Sequence, residues 1–163
     1  MQWPEFHEAT GNNPTAWYCS VEMLTKAAKY VRDDHEARLP DGTELMPSTQ
    51  AVYAMLIGYS IECALKGLWI KAGNKIVKDG GYVGVKGVGD HEVGQLAQLV
   101  DPSLSAVELD VLNRLSAFIR FAGRYPIPKT AQEMTPVSVP GRGKQAKSFF
   151  SKEDFGTAER LLD

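Results

Sequence analysis

The chain is predicted to be all-α, an up-and-down bundle of four helices with a short C-terminal helix and a Gly-rich hairpin or loop insertion. Three observations predict this. Apolar residues recur at steps of three and four over several stretches, which is the stripe of a core-facing helix. The breaks between those stretches carry Pro, Gly and Asn. The 163 residues, 44% hydrophobic and 23% charged, are an ordinary globular mix of one-domain length, so residues 1–163 are read as a single domain.

Residues 1–13 read as an irregular lead-in ending in Gly11-Asn12-Asn13. Pro14 or Thr15 opens a helix, since proline suits a first turn. From Thr15 to about Arg38, Trp17, Val21, Leu24, Ala28 and Val31 form one stripe. Pro40-Asp41-Gly42 stops it. Pro47-Ser48 opens the second helix, with Ser48 as its N-cap. Residues 51–70 are apolar on nearly every side, apart from Ser60, Glu62 and Lys66. The run is about long enough to span a bilayer. Two charges near its middle would be costly in lipid, so the central helix of a bundle is the better reading.

Gly73-Asn74 ends that helix. Ile76-Val77 and Tyr82-Val83-Gly84-Val85 flank Asp79-Gly80-Gly81, the pattern of a small hairpin, with a loop as the alternative. His91 is expected to begin a third helix through Val93, Leu96, Leu99 and Val100. Asp101-Pro102-Ser103 breaks it, and a fourth runs from Leu104 to about Gly123. Arg124-Tyr125-Pro126-Ile127-Pro128 then enforces extended backbone. Residues 126–150 show no period and read as a long loop. Ser151 with Asp154 is a capping signal for a last helix carrying Phe155, Ala158, Leu161 and Leu162.

The net charge of −2 disfavours a basic protein that binds duplex nucleic acid along a whole face. That total conceals an uneven distribution: −4 over residues 1–50, +2 over 51–90 and +3 over 126–150. Cys19 and Cys63 sit in apolar helical patterns and read as buried free thiols, neither in a disulfide framework nor in a metal spacing. Met1 to Glu8 lacks the basic and apolar regions of a secretory leader, so the cytoplasm is the expected location. His7, His35 and His91 have no ligand spacing, so neither a metal nor a cofactor is expected. The glycines make no phosphate loop, and Gly81 to Gly84 only superficially fits a nucleic-acid clamp. No GxSxG nucleophile signature occurs.

Glu62 and Lys66, four apart, share a helix face in the favourable order. Inside an apolar wrap they should meet each other or further polar groups. A solvated stripe is the alternative. His91 either caps its helix or reaches a ligand. Arg124 either faces the C-terminal helix dipole or joins a site.

Taken together, these residues resemble the HEPN domain superfamily over about residues 15–162. Gly58-Tyr59 through Glu62 to Lys66 is similar to its GY-x-x-E-x-x-L-K helix. Asp90-His91-Glu92-Val93-Gly94-Gln95-Leu96 resembles its GHdLxxL, Arg124-Tyr125-Pro126 its RYP, and Ser151 to Leu162 its terminal helix. The resemblance implies a helical bundle, often dimeric, from prokaryotic toxin–antitoxin or defence systems, some members pairing with a small nucleotidyltransferase. Many members are metal-independent ribonucleases that use Arg-x(4–6)-His. Here the one nearby pair is Arg32 and His35, only three apart. The resemblance therefore implies the non-nuclease branch, which binds a nucleotide, RNA or a partner protein. The alternative is a divergent ribonuclease using His91 and Arg124. The motif positions imply a ligand-binding cluster of Glu62, Lys66, His91, Arg124 and Tyr125, with Lys66 and Arg124 holding phosphate or carboxylate. A homodimer through small residues such as Gly58, Ser60 and Ala64 is expected, without a membrane.

Overall fold

The computed structural model describes residues 2–38 and 48–162, except the side chains of 34–38 and 48. The expected stop at Pro40-Asp41-Gly42, the Ser48 cap and the His35 side chain lie outside that description. The described residues are mostly helical, with two short antiparallel strand pairs.

The first 13 residues are not an irregular lead-in. Trp3–Gly11 forms helix α1, begun by Pro4 and by a Gln2 N–H that donates to Glu5 Oε2 at 3.1 Å. Polar contacts dock it, which is why no apolar stripe announces it. Asn12 Oδ1 accepts from the backbone N–H groups of Ile76 and Val77 at 2.9 and 3.1 Å, and its amide donates to Val77 O at 2.7 Å. Glu8 binds Lys75 at 3.0 Å. A Cβ on Gly11 would stand 2.3 Å from Val77 Cγ2, so only glycine permits this approach.

Helix α2 (Pro14–Arg38) packs along α3 (Ser48–Lys71). Ser60 Oγ, fully buried, pairs with Thr25 Oγ1 at 2.7 Å and donates to Val21 O at 3.2 Å. Helix α3 is long and apolar enough to cross a membrane. In the fold, Tyr53, Ala54, Ile57 and Ile61 bury it among its neighbours. Gly58 is buried against Ile119, where a Cβ would lie 2.9 Å from that side chain. Gly58 and Ser60 are therefore buried within the chain, whereas Ala64 is half-buried.

The predicted hairpin forms as β1 (Val77–Lys78) and β2 (Gly81–Tyr82), pairing Val77 with Tyr82. Asp79 and Gly80 turn with positive φ. The third predicted helix starts later than expected: α4 is Val93–Val100, and His91 precedes it with φ +62°. The Val93 N–H donates to Ser116 Oγ at 3.0 Å, which ties α4 to the next helix.

The predicted fourth helix is two pieces. Helix α5 (Ala106–Ala117) is capped by Ser105 and Glu108, and a π-helical turn follows at Phe118–Ala122. Residues 126–150 are not one featureless loop. They hold a 3₁₀ turn at Ala131–Met134 and a hairpin of β3 (Val137–Val139) and β4 (Gly143–Gln145). Helix α6 (Lys152–Arg160) has the predicted Ser151–Asp154 capping box. Asp154 also takes a bidentate grip from Arg114, at 2.8 and 2.7 Å, both side chains being about 2–3% exposed.

Two apolar clusters make the core. The larger joins Tyr53, Ile57, Leu115, Ile119 and Phe150. The smaller, under the first hairpin, joins Ile70, Ile76, Val77, Val85 and Leu96. Leu65 packs against both. The thiols depart from expectation: Cys19 is exposed, and Cys63 is half-buried.

Candidate functional site

Three of the five predicted site residues meet. Helix α3 presents Glu62 and Lys66 one turn apart, and the turn before α4 brings His91 to them. Lys66 Nζ donates to Glu62 Oε1 at 2.6 Å. His91 Nδ1 lies 3.0 Å from Glu62 Oε2. A carboxylate only accepts, so Nδ1 carries the proton in this contact. In the neutral ring, Nε2 is then left as an acceptor.

Glu62 is only 5% exposed, which water alone would not permit. Its two partners supply the compensation that a buried charge requires. Burial disfavours the Lys66 ammonium, but the charge and hydrogen bond of Glu62, aided by Tyr82, outweigh it and hold the amine above its ordinary value. The ammonium also sits 5.4 Å from the Trp17 ring centroid and 5.5 Å from that of Tyr82, within cation–π range. Burial, then the charge of Glu62, push the neighbouring Cys63 thiol up to about 11. At neutral pH it is protonated and a poor nucleophile.

Glu62, Lys66 and His91 line a small cleft, about 20 Å³ in volume, that opens to solvent. Tyr82 and the Gly84–Gly89 segment form one wall, Asp90, His91 and Glu92 another, and Leu96 contributes apolar surface. The hairpin therefore positions Tyr82, and α1 positions the hairpin. Tyr59 packs edge-on to His91 with centroids 5.5 Å apart. The His91 ring is thus fixed on two sides, by a carboxylate and by an aromatic ring. Its left-handed backbone is uncommon outside glycine and stands beside the cleft.

Arg124 and Tyr125 do not join the cleft lining. Arg124 Nη2 donates to Ile119 O at 2.9 Å and its guanidinium lies 5.4 Å from the exposed Tyr125 ring. Arg124 thus satisfies a helix-end carbonyl, the alternative the sequence left open, and its role as a cleft cation is corrected. It is linked to the site only indirectly, because Tyr59 Oη donates to the same Ile119 carbonyl at 3.5 Å.

Sequence reasoning did not single out Tyr82, Trp17, Asp90, or the Glu92–Arg120 ion pair. Arg120 reaches Glu92 from the π-helical turn, which places it where a regular helix would not. No local sequence signal marks that turn. Tyr82 was readable as a hairpin residue, but not as a wall over Lys66. Among the described residues there is no group of His, Cys, Asp and Glu side chains able to hold a metal ion.

Fold and site together define a mostly helical protein with a carboxylate–imidazole–ammonium cluster in a small cleft. In comparisons with family models, curated proteins and solved structures, nothing matches the chain.

Proposed function

We propose that this chain is a HEPN-like binding module, built on an up-and-down four-helix plan, in a prokaryotic toxin–antitoxin or defence pair. Its ligand or partner enters the cleft of Glu62, Lys66 and His91. The observation that supports this reading most is the reach of Glu62 to both Lys66 and His91, from a position that is almost wholly buried yet borders open space. A merely solvated helix face has no need of a third partner from another element. The module works in the cytoplasm, as a homodimer or with a nucleotidyltransferase-type partner. A protein partner is favoured over a nucleotide or RNA, because the cations at the site are already paired. Lys66 is bound to Glu62, Arg120 to Glu92, and Arg124 to a helix-end carbonyl.

A second reading is a divergent ribonuclease with His91 as general acid or base. The Glu62–His91 contact favours it, since a carboxylate on one ring nitrogen orients the other. Arg124 argues against it, being engaged away from His91. Labelled RNA incubated with the wild type, His91→Ala and Arg124→Ala separates the two. Intact RNA with all three proteins is the expected outcome for the module. Cleavage that disappears in the His91 variant would replace it with the enzyme reading.

A further inference from the structure

We propose that the group entering the cleft is an ammonium or guanidinium, not a phosphate. The inference rests on the binding-module reading and names the chemistry of its ligand. It differs from the expectation that Lys66 and Arg124 hold an anion.

Four observations carry it. First, Nδ1 is turned to Glu62, so Nε2 is the ring nitrogen left for a ligand, and with the proton on Nδ1 it accepts from a donor. Second, with Glu62 offset by Lys66 and Glu92 by Arg120, Asp90 leaves the lining one carboxylate in excess, and an anion placed there would face that charge. Third, the cations nearby are spoken for: Lys66 by Glu62, and Arg120 by Glu92. Fourth, the cleft already stabilises an ammonium. Lys66 Nζ is held by a carboxylate and two aromatic rings, and Tyr82 remains half exposed on the solvent side. A ligand cation would use the same kind of surroundings a few ångströms further out. Arginine and lysine side chains of a partner protein carry these groups, and so do free amines such as agmatine. The chemistry is shared between the two sources.

The test is an NMR titration of the His91 imidazole, assigned by difference with His91→Ala. Agmatine, an octalysine peptide, inorganic phosphate and AMP are the probes. Agmatine is expected to shift the His91 and Tyr82 resonances saturably. Charge-assisted hydrogen bonds of this kind correspond to roughly a tenfold loss of affinity in His91→Ala. Asp90→Asn, an exposed change with little risk to folding, is expected to weaken binding about threefold by the same Coulomb argument. Lys66→Met gives the sharpest contrast. It removes a like charge and frees a Glu62 oxygen, so cation affinity should rise, whereas a phosphate site would be abolished.

Octalysine binding more tightly than agmatine would assign the source to a protein partner; the reverse would assign it to a free amine. Phosphate or AMP moving His91 while agmatine does not would overturn the inference and leave the binding-module reading standing. Silence from every probe, together with no RNA or nucleotide binding, would overturn both.

Discussion

Replacing Glu62 with Gln removes the charge that Lys66 and His91 share, and it leaves the half-sequestered Lys66 ammonium without a counter-charge. Breaking a buried pair costs several kcal/mol; with Lys66 15% exposed on its side chain, about 2–3 kcal/mol is expected. That corresponds to a melting temperature lower by roughly 5–10 °C. Calorimetry showing an unchanged transition would mean that the pair is solvated and the cluster idle. Asp154 offers a second test at this scale. Burial alone would raise its carboxyl, but hydrogen bonds from Arg114 and Ser151 and the Arg114 charge overcome that and bring it down from 3.8 to about 2. A carboxyl depressed on folding adds stability above its unfolded value and loses it as pH falls through the folded one. The loss should therefore fall between about pH 4 and pH 2, and amount to about 2 kcal/mol. Denaturant titrations across that window should show Asp154→Asn losing less with acid than the wild type does.

At the scale of elements, the first hairpin depends on one side chain of the α1–α2 connection. Asn12→Ala removes three hydrogen bonds to the Ile76 and Val77 backbone. Each is worth about 1 kcal/mol net. Amide exchange at Ile76 and Val77 should accelerate well before the main helices open; equal protection in the variant would show that the apolar contacts of Val77 suffice. Helix crossing gives another prediction. A Cβ on Gly94 would lie 2.1 Å from Asn113 Oδ1 but 3.4 Å from its backbone N, so Gly94→Ala should displace the exposed Asn113 amide rather than part α4 from α5, and cost less than about 1 kcal/mol by chemical denaturation. Much at this scale was legible beforehand. The stripe Trp17–Val31 and the apolar run 51–70 became α2 and α3, Asp79-Gly80-Gly81 marked a real turn, and Ser151–Asp154 a real cap. What stayed hidden has a common cause. Helix α1 and the π-helical turn are set by tertiary partners: Asn12 reaching a hairpin 64 positions away, and Arg120 reaching Glu92. The β3–β4 hairpin is spaced by prolines and glycines that read equally as loop. For the site, Glu62, Lys66 and His91 were readable because an apolar helix rarely carries unpaired charge. Arg124 misled because a cation at a helix end serves either a ligand or the helix itself, and sequence does not separate the two.

At the scale of the molecule, the two apolar clusters share Leu65 and so should melt together. Trp17 and Trp69 border the smaller cluster, whereas helical signal comes mostly from elements around the larger one. Tryptophan fluorescence and far-ultraviolet circular dichroism are expected to give coincident midpoints, the mark of a two-state transition. An earlier fluorescence midpoint would show the hairpin side opening by itself. The ionic groups share the same division of labour: Arg114–Asp154 holds α6 to α5 away from solvent, and Glu62–Lys66–His91 faces a cleft.

His91 joins these scales. Its backbone at φ +62° is a conformation that glycine adopts freely and that costs other residues roughly 1–2 kcal/mol. A search for thermostable variants would therefore be drawn to glycine at position 91, and each such gain would erase the one imidazole the cleft contains. Stability and use pull in opposite directions at this residue. Selection for heat resistance alone, scored afterwards for ligand binding, should reveal that opposition as a reciprocal loss.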